Sequence, residues 1–437
     1  MEQDIRKVAV LGAGTMGTGI AAACAEAGCE VVLFDQTRDQ VERAMGRMTG
    51  GRSPMVDDPA AVARIRTAVL SDDLEAMADA DWVCEAIIED LREKQALLEQ
   101  VERHRKPGSI VSTNTSGIPL RAIVARASVD LRRDIAVTHF FNPVKVMKLV
   151  ELVPAEETDP AVIERLETFL RDRLGKGVVH AKDTVNFIAN RIGCFWMLAC
   201  LHVAGARVLR RELDMETVDA LLGPPLGIPA TGLYGLIDLI GLDVMDLVAR
   251  NLAVNLPGQD LGRRFTSLPE PEAAMLAGGQ LGRKTGGGFY RVTRHADGAR
   301  TRETFDLADQ EWRPSREVDL APGRLDAPDL MFAGDIAGRL VWDLMSATFA
   351  YAADLVPEIS DDIVNIDRAL RWGFNWKQGP FELIDRIGPE RIAARLDAEG
   401  RPVPRMLRVL RDAGEPAFYR AGGAEQLGLD GRFHPTG

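Results

Sequence analysis

Three observations predict an α/β domain with a doubly wound sheet followed by two repeated all-α domains. Apolar runs of strand length alternate with helix-length segments from the start of the chain to about residue 182. From Asp183 onward the periodicity is helical. A ten-residue stretch that begins at Gly232 then recurs from Gly379.

The first strand is read at Val8 to Leu11, an apolar run that ends at Gly12, Gly14 and Gly17. These glycines open a helix from Met16 to Ala27, and a second apolar run, Val31 to Phe34, ends in Asp35. Gly12 permits the tight turn, Gly14 lets the backbone approach a pyrophosphate, and Gly17 lets helix and strand pack closely. Thr15 and Met16, with the glycines, present the helix N-terminus to that anion. Asp35 accepts hydrogen bonds from a ribose and repels a 2′-phosphate, so NAD is expected rather than NADP. The domain is therefore expected to be of Rossmann type and to bind NAD.

Later strands are expected at Trp82 to Ile88, Ser109 to Thr113, Ile135 to Phe140 and Val150 to Val153. A helix is expected from Asp183 to Arg210, with Asp183 or Thr184 as its N-cap, and more helices to about residue 276. The glycine-rich, basic segment Gly282 to Arg291 closes that region. Residues 292–328 are polar, contain Pro314, Pro322 and Pro328, and read as a linker with at most one hairpin. A second helical block follows. The expected division is 1–182, 183–291, 292–328, 329–422 and a tail at 423–437. The repeat supports it: GLYGLIDLIG (Gly232 to Gly241) and GPFELIDRIG (Gly379 to Gly388) agree at six of ten positions, and similar segments precede both.

Hydrophobic and charged fractions of 46% and 27% are those of an ordinary globular protein. A net charge of -12 argues against a nucleic-acid or membrane-surface partner. The apolar stretch Ile192 to Leu209 contains His202 and Arg207, and reads as a buried helix rather than a membrane span. Cys24, Cys29, Cys84, Cys194 and Cys200 are odd in number and lie in apolar contexts, as reduced core thiols do, and no Cys/His spacing suits a metal. The chain enters its first strand almost at once, without a signal-peptide pattern, so a cytoplasmic location is expected.

His139 stands at the end of an expected strand, where open α/β sheets place their ligands. Glu151 interrupts an apolar run and needs a partner if buried. An imidazole whose tautomer is fixed by a carboxylate is a suitable general base for a hydroxyl proton.

LGAGTMGTGIA, Asn114-Thr115-Ser116, HFFNPVKVMKLVE, the KDT and FIANR of Lys182 to Arg191, and GRKTGGGFY together resemble the 3-hydroxyacyl-CoA dehydrogenase family over nearly the whole chain. The duplicated helical unit resembles the dehydrogenase portion of bacterial multifunctional fatty-acid oxidation proteins. The resemblance implies oxidation of a 3-hydroxyacyl-CoA by NAD, with His139 as base and Glu151 orienting it. It implies that Ser116 and Asn190 hydrogen-bond substrate oxygens, and that Glu89, Lys94, Asn142 and Lys284 contact the NAD. An acyl-CoA substrate and an enoyl-CoA hydratase partner follow from it. So does a monomer whose helical copies mimic a dimer, a homodimer being the other state. The alternatives are a dehydrogenase of another 3-hydroxy acid without CoA and a non-catalytic NAD-binding partner of a hydratase.

The chain departs from the family pattern in three places. Val185-Asn186 replaces Pro-Gly, which narrows the pocket or favours a polar acyl group. The stretch between Asp35 and Trp82 is short where single-function members grip CoA. There Arg47, Arg52, Arg64 and Arg66 supply phosphate contacts or form a solvated face. Thr231 to Tyr234 replaces Gly-Pro-Phe in the first repeat.

Overall fold

The computed structural model describes residues 4–50, 54–294, 298–321 and 324–437, so Arg52 and Pro322 lie outside the described residues. It divides into two compact units, Met1–Ile188 with Glu358–Ser360, and Ala189–Pro357 with Asp361–Gly437.

The first unit is built on eight strands: β1 (Lys7–Leu11), β2 (Glu30–Asp35), β3 (Ile65–Val69), β4 (Trp82–Glu85), β5 (Ile110–Thr113), β6 (Ile135–Phe140), β7 (Leu149–Pro154) and β8 (Gly177–His180). Their order is β3-β2-β1-β4-β5-β6-β7-β8. The helices are α1 (Thr15–Glu26), α2 (Arg38–Thr49), α3 (Leu91–His104), α4 (Leu120–Ile123), α5 (Val129–Asp134) and α6 (Pro160–Thr168). Thr37, Asp90 and Asp159 cap the starts of α2, α3 and α6 with their side chains. Strand order reverses between β1 and β4, which makes the crevice beyond their carboxyl ends the natural ligand site. Neighbouring strands are parallel except for β6 and β7.

The structure corrects three local expectations. β4 ends at Glu85, not Ile88, because the Glu85 carboxylate accepts the Ile87 N–H at 2.7 Å and turns the chain. β3 and β8 were not legible: β3 carries exposed Arg66 and Thr67 side by side, so it shows neither an apolar run nor a strict alternation, and both are short. Asp183 and Thr184 do not cap the long helix. Asp183 instead accepts from Leu120 N and Arg121 N at the start of α4, while Asn186 (φ 60°) and Phe187 (φ 52°) adopt left-handed conformations that delay the helix to Ala189.

The second unit opens with α7 (Ala189–Leu209), α8 (Met215–Leu221), α9 (Tyr234–Ile240), α10 (Leu242–Asn255) and α11 (Glu270–Ala277). A small antiparallel sheet follows, β9 (Tyr290–Arg294), β10 (Arg300–Asp306) and β11 (Glu311–Pro314). The chain then forms α12 (Ala327–Met331), α13 (Ile336–Asp354), α14 (Ile363–Gly373), α15 (Pro380–Ile387), α16 (Pro389–Ala398) and α17 (Arg405–Asp412). It closes with a second small sheet, β12 (Tyr419–Arg420), β13 (Glu425–Leu427) and β14 (Phe433–Pro435). The unit is therefore not all-α: a three-stranded sheet follows each run of helices, one of them lying in the polar stretch after Arg291.

α7 is long and apolar enough to cross a membrane by length and composition alone, but it is mostly buried, as a core helix is. It packs on α13: the rings of Phe195 and Tyr351 lie 4.3 Å apart, and buried Arg191 bonds Tyr351 Oη at 2.6 Å and pairs with Asp260. A Cβ on Gly193 would lie 2.1 Å from the Phe374 ring, so only glycine lets α7 approach that residue.

The two helical runs make matching buried contacts. Asp219 accepts from Tyr234 N, Gly235 N and Tyr290 Oη, at 2.8, 3.2 and 2.9 Å. Asp367 accepts from Phe381 N, Glu382 N and Tyr419 Oη, at 2.8, 3.0 and 2.7 Å. Asp238 takes the N–H groups of Phe289 and Tyr290, and Asp385 those of Phe418 and Tyr419.

Glu272, on α11, is 1% exposed, and its Oε1 meets no donor among the described residues. Burial pushes its carboxyl from 4.5 up to about 8, opposed only by a backbone hydrogen bond. The folded protein thus keeps a proton that the unfolded chain has released. That contribution is complete below the unfolded value of 4.5 and is lost as pH rises through about 8. The thermal midpoint is expected to fall between about pH 5 and about pH 8, and Glu272→Gln is expected to flatten that limb. An unchanged slope in the variant would assign the loss to other groups.

Candidate active site

The turn from β1 into α1 is set by sterics. Gly12 has φ 109°, and a Cβ there would lie 2.5 Å from the Ala86 carbonyl oxygen, against the segment that follows β4. A Cβ on Gly17 would lie 1.8 Å from Gly12 O. Gly14 is the N-cap of α1 without a side-chain cap, and nothing lies within 4 Å of where its Cβ would be. Exposed Thr15 and half-buried Met16 begin the helix. Open ground before uncapped N–H groups fits the pyrophosphate of a dinucleotide. Asp35 ends β2 beside the loop. It accepts from Ala13 N at 2.8 Å and Gln36 N at 2.7 Å, which leaves lone pairs for a ribose. Arg47 donates to Ala13 O at 2.6 Å and to Thr18 Oγ1 at 3.2 Å, so it braces this loop. Arg64 bonds Ala25 O at 3.2 Å.

Reversal of β7 brings the next pair together. In the β6–β7 register His139 lies opposite Glu151, which places both side chains on one face. Nδ1 of His139 is 2.6 Å from Glu151 Oε2, and the other carboxylate oxygen accepts Ile188 N at 3.0 Å. Glu151 is fully buried and His139 nearly so. The rings of Phe141 and Phe187 flank the imidazole at 4.5 and 5.7 Å. A carboxylate on Nδ1 fixes the proton there and leaves Nε2 as the basic atom, and Nε2 has no hydrogen-bond partner among the described residues.

A third cluster links the ends of β4 and β5. Glu89 Oε1 accepts from Thr115 Oγ1 at 2.7 Å, and from Ser116 N and Gly117 N at 2.9 Å each. The Ser116 hydroxyl is exposed, 3.5 Å from the same oxygen. Burial raises the Glu89 carboxyl, but the Lys94 charge, the Thr115 hydroxyl and these N–H groups outweigh it and hold the group below its ordinary value. Lys94 is 1% exposed, bonded to Glu85 and 3.3 Å from Glu89 Oε2. Asn114 Oδ1 accepts Phe140 N at 2.9 Å and ties the loop after β5 to the end of β6.

The first unit therefore brings together the glycine loop, Asp35, Glu89, Lys94, Ser116, His139 and Glu151 at the carboxyl edge of one sheet. Asn142 follows β6 and precedes a cis proline. Asn190 is the second residue of α7 in the second unit, and Lys284 of that unit pairs with Asp243 at 2.5 Å. Sequence reasoning missed Glu85, Thr113, Thr115 and the loop-bracing role of Arg47. Glu85 could have been found by the logic applied to Glu151, since it ends the apolar run Trp82 to Cys84. Among the described residues no group of three His, Cys, Asp or Glu could hold a metal, and all five cysteines are buried free thiols. Burial pushes the Cys84 thiol up to about 12.

Gly17→Ala is expected to displace the Gly12 carbonyl and weaken NADH binding about tenfold or more, read by fluorescence titration, with an unchanged circular dichroism spectrum. Wild-type affinity in that variant would remove the loop from the binding site.

Residues 7–184 match the family model described as 3-hydroxyacyl-CoA dehydrogenase, NAD binding domain, and residues 187–292 match the C-terminal domain of that family. A Bacillus subtilis relative named a probable 3-hydroxyacyl-CoA dehydrogenase is 35% identical over 96% of this chain, which spans 56% of that relative. A 3-hydroxybutyryl-CoA dehydrogenase of Mycobacterium tuberculosis is 32% identical over 66% of the chain and 99% of its own length. The crystal structure of 3-hydroxybutyryl-CoA dehydrogenase from Escherichia coli K12 aligns with a TM-score of 0.69 at 26% identity, over 93% of this chain and 98% of that one. The chain belongs to the 3-hydroxyacyl-CoA dehydrogenase family, and its first unit carries that family's NAD-binding domain.

Proposed function

We propose that the chain is an NAD-dependent (S)-3-hydroxyacyl-CoA dehydrogenase of fatty-acid oxidation, able to run in reverse. The observation that carries the reading is the buried His139–Glu151 pair at the same sheet edge as the glycine loop. NAD, when bound, supplies the hydride acceptor. His139 Nε2 takes the proton of the 3-hydroxyl as hydride leaves C3, and the C–O bond becomes a carbonyl. Glu151 keeps Nδ1 protonated and steadies the imidazolium, itself held by Ile188 N. The Ser116 hydroxyl donates to a substrate oxygen from a loop fixed by Glu89, and resists charge build-up there. Phe141 and Phe187 shield the imidazole from water. Asn190, Asn142 and Lys284 keep the roles that the resemblance implies. An enoyl-CoA hydratase supplies the 3-hydroxyacyl thioester.

A second reading, a polar acyl group or a 3-hydroxy acid without CoA, is favoured by Asn186. This residue is 3% exposed and stands where the family pattern has glycine, so it adds a carboxamide that can bond a polar group.

NADH consumption with acetoacetyl-CoA and with free acetoacetate separates the readings. Turnover of the thioester alone is expected. It should fall about a hundredfold or more in His139→Gln, and by a smaller factor in Glu151→Gln, with KM little changed. Turnover of the free acid alone would replace the thioester with the second reading. Undiminished turnover in His139→Gln would remove the mechanism.

The helical runs of the second unit are proposed to be two copies of one domain, duplicated in the chain. Matching bonds at Asp219 and Asp367, and at Asp238 and Asp385, support this. Their packing through α7 and α13 replaces a contact between subunits. Light scattering is expected to report a monomer, and a tight dimer would overturn the replacement.

A further inference from the structure

We propose that Glu85 is a positioning residue, acting through Lys94 and Glu89 on the loop that carries Ser116. The inference rests on the dehydrogenase reading of Ser116. It gives Lys94 a part in the protein's own framework beside the cofactor contact that the resemblance implies.

Glu85 is 1% exposed at the end of β4. Its two oxygens receive Lys94 Nζ at 2.8 and 3.0 Å, Ile87 N at 2.7 Å, and the Thr113 hydroxyl. Lys94, also 1% exposed, divides its charge between Glu85 and Glu89. Glu89 then gathers Thr115, Ser116 and Gly117 on one oxygen. Thr113 forms a second route, since its hydroxyl accepts Thr115 N at 3.2 Å while it donates to Glu85. The same turn faces the dinucleotide loop: Ala86 N bonds Leu11 O at 2.7 Å, and the Ala86 carbonyl closes on Gly12. One carboxylate thus sets both the wall against Gly12 and the height of Ser116.

Two charges buried together lose their hydration, and such pairs are often no more stabilising than apolar residues of the same shape. A three-member line of alternating charge running from the sheet to a substrate-binding hydroxyl is better accounted for by the geometry it imposes. Lys94 has a hydrogen bond or ion pair in each direction and almost no surface, which fits a strut.

The test is the double variant Glu85→Gln/Lys94→Met in the full chain, in which both charges leave together and shape is kept. Thr115→Val, which removes one donor from Glu89, is the milder companion should the double variant not fold. Hydrogen exchange of the Ser116–Gly117 peptide is expected to quicken. Turnover of acetoacetyl-CoA is expected to fall about tenfold in kcat at saturating NADH. Thr115→Val should move both readouts the same way by less. Exchange at the wild-type rate overturns the relay whatever the turnover. Faster exchange with wild-type kcat overturns its catalytic consequence, and a loss confined to NADH affinity leaves Lys94 with the cofactor contact alone. Absence of turnover in the wild-type protein defeats the dehydrogenase reading instead, and the exchange rate still decides the relay.

Discussion

The bond from His139 to Glu151 exists because β6 and β7 run antiparallel in a sheet whose other neighbours are parallel. Antiparallel partners lie directly opposite, on the same face, and need only a short connection. Two residues far apart along an extended chain thereby become a pair in contact. The second oxygen of Glu151 then holds Ile188 N, so the end of the first unit is fixed by the carboxylate that orients the imidazole. Breaking the register by one residue would turn both side chains to opposite faces and dissolve the pair.

Buried carboxylates recur as the means by which distant backbone is held. Glu151 holds Ile188, Glu85 holds Ile87, Glu89 holds Ser116 and Gly117, and Asp183 holds Leu120 and Arg121. In the second unit Asp219, Asp238, Asp367 and Asp385 each accept two backbone N–H groups. The physical reason is shared: a buried carboxylate must be satisfied, and backbone N–H groups at helix starts and turns are the donors without partners. The cost of burial remains visible where donors are few. Burial pushes Asp219 up to about 7 and Asp238 and Asp385 up to about 6, although two N–H groups meet each of them.

Much of the first unit and the repeat in the second were legible. The glycine loop, Asp35, the pairing of an interior glutamate with a histidine and the repeat near residues 232 and 379 are local patterns whose chemistry depends on spacing or residue type. The small sheets were legible only as one hairpin in the linker, because β9 to β11 lie in largely polar sequence, and β12 to β14 are two or three residues long. The start of α7 was misplaced because Asp183 has the residue type of an N-cap, and sequence does not say which helix a cap serves.

The sequence by itself determined the chemistry available: a dinucleotide loop, an imidazole with an acid at a fixed interval, and two copies of one helical pattern. Only the tertiary structure decided what each charged group does. Arg47, which reads as a surface cation, braces Ala13 O. Lys94, which reads as a cofactor contact, is enclosed between two carboxylates. Spacing along a chain limits which groups can meet. The register of β6 on β7, and the place where β4 stops and turns, fix which groups do, because only in the folded chain are burial and hydrogen-bond partners set together.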